Sequence, residues 1–372
     1  AAATPAIAHA AEAAGLPPLV ASFGPAQLDK AILDALTRHH GVSIFEAART
    51  NLFDLTTALT PDLEGFDMDA FLANLSPQPV IAARHTVGMV DPITSADIAD
   101  GARVDDGLPE TLEEVIRATN VDHFKLKVGG NVEADIARLS AIAGVLDKLP
   151  TRYRATLDGN EQYATVDGIA ALWDAMEETP ALERLRGSIL FIEQPIARAK
   201  AFSEDVSSLS NRKPIEIDES DGTLDAFVEA KALGYQGVSS KSCKGFYKAL
   251  LNKARCTKWN AEEGTNRYFM SAEDLTTQAG LAVQQDLALA TLIGCTHVER
   301  NGHHYVNGLS AVSREEQEAF LSAHSDLYED SHGAVRMSFF NGRIGIGSLD
   351  GPGFASGAMP DLEAMRRCHY TP

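Results

Sequence analysis

Five polar residues stand where successive short apolar segments end, and their types suit metal-assisted proton transfer. Asp158, Glu193 and Asp218 each close such a segment, Lys127 closes the segment before them, and Lys241 closes the one after. Carboxylate oxygens are the ligands that hard divalent cations such as Mg²⁺ or Mn²⁺ prefer. Lysines with a perturbed pKa can act as general acids and bases. Acids on three consecutive strands would converge on a space the size of one cation. We therefore predict a metal site flanked by lysines.

A further lysine, Lys125, lies two residues before Lys127 in the apolar segment His123–Val128. If this segment is a strand, both lysines point to the same face. Two ammonium groups so close disfavour each other's charge, so we expect the pKa of at least one of them to be lowered. That lysine would then be a base near neutral pH.

The reaction that needs both a divalent cation and lysines is the removal of a proton α to a carboxylate. Such a proton is weakly acidic, so the doubly negative enediolate must be stabilised, and a cation beside the carboxylate oxygens does so. The lysines would exchange the proton. The chain carries a net charge of −20, from 32 Lys and Arg against 52 Asp and Glu. This charge opposes an anionic substrate, which makes a bound cation or a local lysine cluster necessary.

The elements that must position these residues have the pattern of parallel βα units. From about Val80 onward, short β-type segments alternate with amphipathic stretches such as Val132–Leu149 and Leu275–Ile293. Eight candidate strands predict an α/β barrel, in which functional residues lie at the carboxyl ends of the strands. The predicted strands are Ala83–Val90, His123–Val128, Arg154–Asp158, Ile189–Glu193, Pro214–Asp218, Gly237–Lys241, Tyr268–Ser271 and Thr296–Glu299.

Smaller regions are predicted on both sides of the barrel. Pro25–His40, Ser43–Thr50 and Ser313–His324 favour helices, and Arg343–Ile346 favours a short strand in a Gly-rich segment. Helices begin almost at once and the chain starts at Ala, which suggests that a leading segment is missing. The predicted division is an N-terminal capping domain, a barrel, and a C-terminal segment that returns to the cap: residues 1–80, 81–325 and 326–372.

Composition and charge exclude several classes of protein. The charge of −20 would repel nucleic acid and anionic membrane surfaces. No apolar run is long enough to span a bilayer. The 4 cysteines are widely scattered without a Cys-x-x-Cys pair, so neither a zinc site nor a disulfide framework is indicated. We expect a cytoplasmic protein whose partner is a small-molecule carboxylate.

The combined strand-end pattern resembles a known family, the enolase superfamily, and specifically its muconate lactonizing enzyme subgroup. Mandelate racemase is a more distant match, and the resemblance covers about residues 80–353. The motifs that carry it are Lys125-Leu-Lys127, Asp158-Gly-Asn, Glu193-Gln-Pro, Asp218-Glu-Ser and Lys241. The resemblance implies a (β/α)₇β TIM-like barrel with an α+β capping domain, Mg²⁺ or Mn²⁺ held by the three acids, and a homo-oligomer. It also implies that Lys127 and Lys241 are acid–base groups on opposite faces of the substrate, and that Lys125 tunes Lys127.

Further polar residues near strand ends are candidates for contacting the substrate or supporting the site. Glu219 competes with Asp218 as the third ligand, because a Glu serves there in the mandelate racemase branch. Glu273 and Asp274 end strand seven, where the family often carries an acid, although they could equally begin the next helix. His297 is interpreted as a substrate-positioning or buried hydrogen-bonded residue. These candidates are Asn160, Glu219, Glu273, His297 and Glu299.

Three functions are compatible with this site. The first is racemisation or epimerisation by two lysines, which predicts exchange of the Cα proton with solvent. The second is a lyase, dehydratase or cycloisomerase that uses the same enolate, which predicts loss of a β-leaving group or ring closure. The third is a barrel retained for binding without catalysis, since fold does not imply function. The complete set of acids and lysines argues against the third.

Overall fold

The computed structural model describes residues 4–273, 279–302 and 304–365. Eight strands form a curled, all-parallel sheet in which β1 to β7 pair in chain order and β8 pairs with β1. A parallel bridge between Glu273 and Glu299 joins the carboxyl ends of β7 and β8. The predicted α/β class is therefore confirmed. The strands are β1 Val80–Val87, β2 His123–Lys127, β3 Arg154–Asp158, β4 Ile189–Glu193, β5 Ile215–Ile217, β6 Gly237–Ser240, β7 Phe269–Ala272 and β8 His297–Arg300.

Helices follow most of these strands and cover the outer face of the sheet, so the central strands are buried on both faces. Short polar side chains start several of the helices: Asn131 accepts a hydrogen bond from the backbone of Ala134 at the start of α6. The helices are α1 Thr4–Ala13, α2 Pro18–His40, α3 Ile44–Arg49, α4 Met68–Ala73, α5 Leu112–Thr119, α6 Val132–Leu146, α7 Val166–Glu178, α8 Glu183–Ser188, α9 Ser207–Ser210, α10 Ala226–Ala232, α11 Phe246–Glu263, α12 Leu281–Leu292 and α13 Arg314–Ala323.

The N-terminal helices lie against the end of the sheet that carries the polar residues. Lys30 of α2 donates a hydrogen bond of 3.4 Å to Ser242, in the turn that follows β6. Helix α2 ends at Gly41, whose φ of 68° is the left-handed conformation that glycine favours. Residues 4–79 contain helices and no strand, as expected from the early start of the helical pattern.

The C-terminal segment adds three strands outside the eight. These are β9 Tyr328–Ser331, β10 Ala334–Met337 and β11 Arg343–Gly345. Strands β9 and β10 form an antiparallel hairpin, and β11 pairs antiparallel with residues 80–82 of β1. Beyond β11, the backbone of Gly353 exchanges hydrogen bonds with Val42 and Ile44, beside α3. The chain therefore returns to the N-terminal helices.

The predicted element boundaries differ from the observed ones mainly where a strand meets a loop. Strand β1 begins at Val80 rather than Ala83, because its first three residues pair with β11. Helix α2 begins at Pro18, seven residues before the predicted start, and contains Pro25. The predicted helix Leu275–Ile293 is observed as α12, and the first part of that range lies outside the described residues, as does Asp274.

Candidate active site

The ammonium group of Lys125 lies at the centre of a buried ring of carboxylates. Its Nζ is 2.7 Å from Glu193 Oε1, 2.6 Å from Glu299 Oε2 and 2.9 Å from Asp158 Oδ2, with Glu273 Oε2 at 3.9 Å. The lysine side chain is 1% exposed. Parallel pairing explains this convergence, since Lys125 lies one strand away from Asp158 and two from Glu193.

The second lysine of β2 points the same way but reaches further out, as strand alternation predicts. Lys127 Nζ is 2.5 Å from Asp158 Oδ2 and 3.0 Å from Asn160 Oδ1. The Asn160 amide in turn donates to Glu219 Oε1 at 3.3 Å. The Lys127 side chain is 20% exposed and so remains accessible at the strand ends.

The segment directly after β6 carries Lys241 and a second lysine, Lys244, that sequence reasoning did not select. Lys241 Nζ is 3.0 Å from Asp218 Oδ2 and 2.8 Å from Glu273 Oε1. Lys244 Nζ donates to Asp218 Oδ1 at 2.6 Å and to the backbone oxygen of Ser239 at 2.9 Å. The signal was the spacing Lys-x-x-Lys, which turns both side chains back to one acid within a single helical turn.

These contacts correct the expectation that the lysine pair lowers a lysine pKa. Burial lowers the pKa of Lys125, but the surrounding carboxylates outweigh it and hold that pKa well above its usual range. Burial and the neighbouring Lys125 likewise lower the pKa of Lys127, yet Asp158 and Glu299 raise it overall. In the metal-free protein both side chains are therefore ammonium ions at neutral pH.

The predicted metal ligands fall into two groups in the structure. Asp158 and Glu193 are paired residue for residue at the ends of β3 and β4, whereas Asp218 lies just beyond the end of β5. The carboxylate oxygens that lie within 4.8 Å of one another belong instead to Glu193, Glu273 and Glu299. Among the described residues, Glu193 is the member that the two sets share.

The side chain of Gln194, directly after β4, fixes the backbone at Asp218. The side-chain oxygen of Gln194 accepts hydrogen bonds from the backbones of Asp218 and Ser220 at 2.8 and 3.1 Å. Next to it, burial and the Asp218 charge raise the pKa of Glu219 to about 7. Asp218 itself keeps a pKa below its usual value despite burial and Glu273, because Lys241 and Lys244 stabilise its charge.

His297 lies away from these groups. It is the first residue of β8, so it sits at the opposite end of the strand from the mouth where Lys127 and Asn160 lie. Its Nδ1 is 3.0 Å from Arg84, and burial together with Arg84 and His123 holds its pKa well below the usual value. These are the surroundings expected of the buried, hydrogen-bonded interpretation. His303, which follows β8, lies outside the described residues.

The donors present fit a divalent cation. Glu193 Oε2 is buried and has no hydrogen-bond partner within the described part of the chain, and an unsatisfied buried carboxylate oxygen is costly. A divalent cation at this carboxylate would satisfy the oxygen, and carboxylate oxygens are the donors that Mg²⁺ prefers.

A curled parallel sheet with acids and lysines at its strand ends defines a class of barrel-type enzyme folds. The sequence model of the family described as enolase C-terminal domain-like matches residues 107–307, more than half of the chain. The chain therefore belongs to the enolase superfamily, in the family of mandelate racemase and muconate lactonizing enzymes, whose members are enzymes. No curated protein matches it.

Solved structures of mandelate racemase/muconate lactonizing proteins and epimerases share the fold. A dipeptide epimerase from Enterococcus faecalis V583 is 18% identical, with a TM-score of 0.50 over 75% of this chain and 66% of that one. The L-Ala-D/L-Glu epimerase from Bacillus subtilis is 15% identical, with a TM-score of 0.52 over 89% and 71%. A mandelate racemase/muconate lactonizing protein from Paracoccus denitrificans PD1222, complexed with magnesium, is 15% identical, with a TM-score of 0.56 over 92% and 74%. The chain thus spans about two thirds of the length of the first of these, and at such identities the likeness shows the fold.

None of the helices in the described residues is long and apolar enough to cross a bilayer.

Proposed function

We propose that the protein is a Mg²⁺-dependent enzyme that removes and returns the proton α to a carboxylate, by way of an enediolate, and so racemises or epimerises its substrate. The observation that carries the proposal is the placement of Lys127 at the end of β2 and Lys241 directly after β6. Three strands separate β2 from β6, and Asp158, Glu193 and Asp218 lie at or directly after the ends of those strands. A substrate carboxylate directed at the acids would present its Cα between the two lysines.

In this proposal the chain's own residues carry out the proton transfer. One lysine, Lys127 or Lys241, first releases its own proton to solvent; as a neutral amine it then takes the Cα proton, and the electron pair of the C–H bond moves into the carboxylate. The other lysine, an ammonium ion, delivers its proton to the opposite face of the same carbon, which inverts it. A divalent cation, when bound, supplies positive charge beside the substrate carboxylate. We propose Asp158, Glu193 and Asp218 as its ligands, with Mn²⁺ as a substitute.

The choice of Asp218 over Glu219 is supported by its surroundings. Asp218 is 3% exposed, and its backbone is fixed by Gln194. Glu219 is directed instead to Asn160, which also contacts Lys127. We therefore propose that Asn160 and Glu219 contact the substrate or support Lys127 at the mouth, while Lys125 tunes Lys127.

The overall organisation belongs to the same proposal. We propose a closed (β/α)₇β barrel over residues 81–325, covered by an α+β capping region formed by residues 1–80 and 326–372. The partner is a small-molecule carboxylate, without nucleic acid or membrane, and the protein is a cytoplasmic homo-oligomer. Two of the similar structures are those of epimerases, which supports isomerisation over a lyase or cycloisomerase reaction.

The test is Cα proton exchange in D₂O with Mg²⁺, followed by NMR over a panel of acid sugars, N-acyl amino acids, dipeptides and hydroxy acids. We expect deuterium to enter at Cα of one compound class, with loss of optical activity. Elimination or ring closure in place of exchange would establish the lyase or cycloisomerase alternative. Absence of both exchange and Mg²⁺ binding would favour a non-catalytic barrel.

A further inference from the structure

Two glutamates lie side by side where β7 meets β8. The backbones of Glu273 and Glu299 form a parallel bridge, and the two residues are 7% and 2% exposed. Like charges directly opposite one another on neighbouring strands are destabilising, and buried charges need a partner. This pair therefore requires a cation.

Lys125 is the cation that the two glutamates share, and each glutamate is fixed by its other oxygen. Glu299 receives Lys125 on Oε2 at 2.6 Å and the Thr86 hydroxyl on Oε1 at 2.6 Å. Glu273 faces Lys125 with Oε2 at 3.9 Å, while its Oε1 accepts from the Ser239 hydroxyl at 2.7 Å and pairs with Lys241 at 2.8 Å. Both carboxylates are thus held in place with one oxygen directed at the ammonium group.

The same ammonium group contacts two of the proposed metal ligands on its opposite side. Lys125 Nζ is 2.7 Å from Glu193 and 2.9 Å from Asp158. A divalent cation that takes these two acids must compete with Lys125 for them. Without an anchor elsewhere, the lysine would either keep the acids or be driven out of the barrel.

We propose that Glu273 and Glu299 are positioning residues that anchor Lys125 on the β7–β8 side, so that Glu193 and Asp158 can accept a divalent cation while Lys125 stays in place. The claim that Glu193 and Asp158 accept a divalent cation rests on the proposed function. The claim that Glu273 and Glu299 anchor Lys125 does not depend on a cation. The alternative is that Glu273 and Glu299 join Glu193 as cation ligands.

Thermal unfolding of the metal-free protein tests the anchor. We expect Lys125→Met and Glu299→Gln each to lower the Tm by about 5–10 °C, since each leaves buried charge uncompensated. The double variant should lose no more than the larger single loss, because the two groups act as one pair. The exposed pair Lys148 and Glu113, 3.2 Å apart, is the matched control, and its equivalent substitutions should have small and additive effects. Additive losses at Lys125 and Glu299 would overturn the anchor.

Titration with Mn²⁺ distinguishes a Glu299 that anchors Lys125 from a Glu299 that binds the cation directly. Glu299→Gln should weaken binding about 10-fold in the wild-type background, but less than about threefold in the Lys125→Met background, where no ammonium competes. An equal loss in both backgrounds would make Glu299 a ligand.

The electron paramagnetic resonance spectrum of bound Mn²⁺ needs no Lys125 variant, so it decides the question if Lys125→Met does not fold. An unchanged spectrum with weaker binding in Glu299→Gln supports the anchor, whereas an altered spectrum or unchanged affinity contradicts it. If the wild-type protein binds no Mn²⁺, the proposed function fails, and the metal-free unfolding measurements decide the anchor alone.

Discussion

Asp158 shares its carboxylate between two lysines, Lys125 on the buried side and Lys127 on the exposed side. Asp218 is shared in the same way by Lys241 and Lys244. Each proposed catalytic lysine is therefore fixed by an acid that is also a proposed metal ligand. At the scale of single residues, a substitution at one of these positions changes both the local charge and the orientation of the side chain that it contacts.

Removal of either proposed catalytic lysine should stop turnover. We expect Lys127→Ala and Lys241→Ala each to reduce the rate of racemisation or epimerisation by at least about 10³-fold, because inversion needs an acid–base group on each face of the substrate carbon. Circular dichroism should show a retained fold, with a larger loss of stability for Lys241→Ala, since Lys241 pairs with two buried acids. Lys148→Ala, a change at an exposed lysine, is the control. A wild-type rate of inversion in either variant would remove its assignment.

Loss of the Glu193 carboxylate should weaken metal binding. Glu193→Gln keeps the side-chain shape but removes a charged oxygen ligand, so calorimetric titration with Mg²⁺ should show about 10-fold weaker binding or more. The comparison of Asp218→Asn with Glu219→Gln identifies the third ligand: we expect the first to be the more damaging. Unchanged affinity in Glu193→Gln would show that the ligand set is wrong.

At the scale of elements, the register between β3 and β4 sets the separation of the acids. Gly159, directly after β3, donates its backbone N–H to Glu193 and packs against the loop after β4. A Cβ atom at Gly159 would lie 2.4 Å from the Cα of Pro195, a backbone atom that cannot move alone. The close approach of these two loops therefore requires glycine.

Gly159→Ala should separate the ends of β3 and β4. We expect a loss of about 1–3 kcal/mol in the free energy of unfolding, as for other overpacked sites, together with weaker Mg²⁺ binding. Urea unfolding and calorimetry measure the two effects. Gly144→Ala is the matched control, because a Cβ there meets nothing within 4 Å on the exposed face of α6. It should stabilise the protein by about 0.5–1 kcal/mol. Equal effects at the two glycines would contradict the packing argument.

The sequence predicted the elements well where periodicity and strand ends agree. Strands β3 and β4 match their predicted bounds, and both carry the acids at their last residue. The sequence could not show which acid each lysine contacts, because those contacts depend on how far each side chain extends from its own strand towards the others. Lys125 was thus expected to lower a pKa, and the role of Glu273 and Glu299 as its partners was not foreseen. His297 lies near the start of both the predicted and the observed strand, and its contact with Arg84 of β1 joins residues too far apart in the chain for the sequence to indicate it.

At the scale of the whole molecule, buried ionisable groups make stability depend on pH. His85 on β1 is 2% exposed, and its ring centroid lies 4.8 Å from that of His304. Burial, together with the nearby His304, lowers the pKa of His85 to about 3 although Asp91 opposes the shift. The folded protein therefore keeps His85 neutral where the unfolded chain, with a pKa near 6.5, takes up a proton.

This difference predicts acid sensitivity. The contribution of His85 is fully present above about pH 6.5 and is lost progressively as pH falls towards 3, by about 2.5 kcal/mol at pH 4.5. Urea unfolding at several pH values between 7 and 4.5 should show a shallower pH dependence for His85→Gln than for the wild type. Parallel pH profiles would show that His85 is not the group responsible.

Contacts across more than 300 residues join the late part of the chain to the early part. Arg38 on α2 donates to the backbone oxygen of Ser356, 318 residues later, and Phe354 donates its backbone N–H to Asp34, 320 residues earlier. During synthesis the N-terminal helices are made first, and these partners become available only after residues 81–352 have been translated. Such non-local contacts form slowly. Helix α2 therefore completes its native contacts only when residues 353–356 have been made.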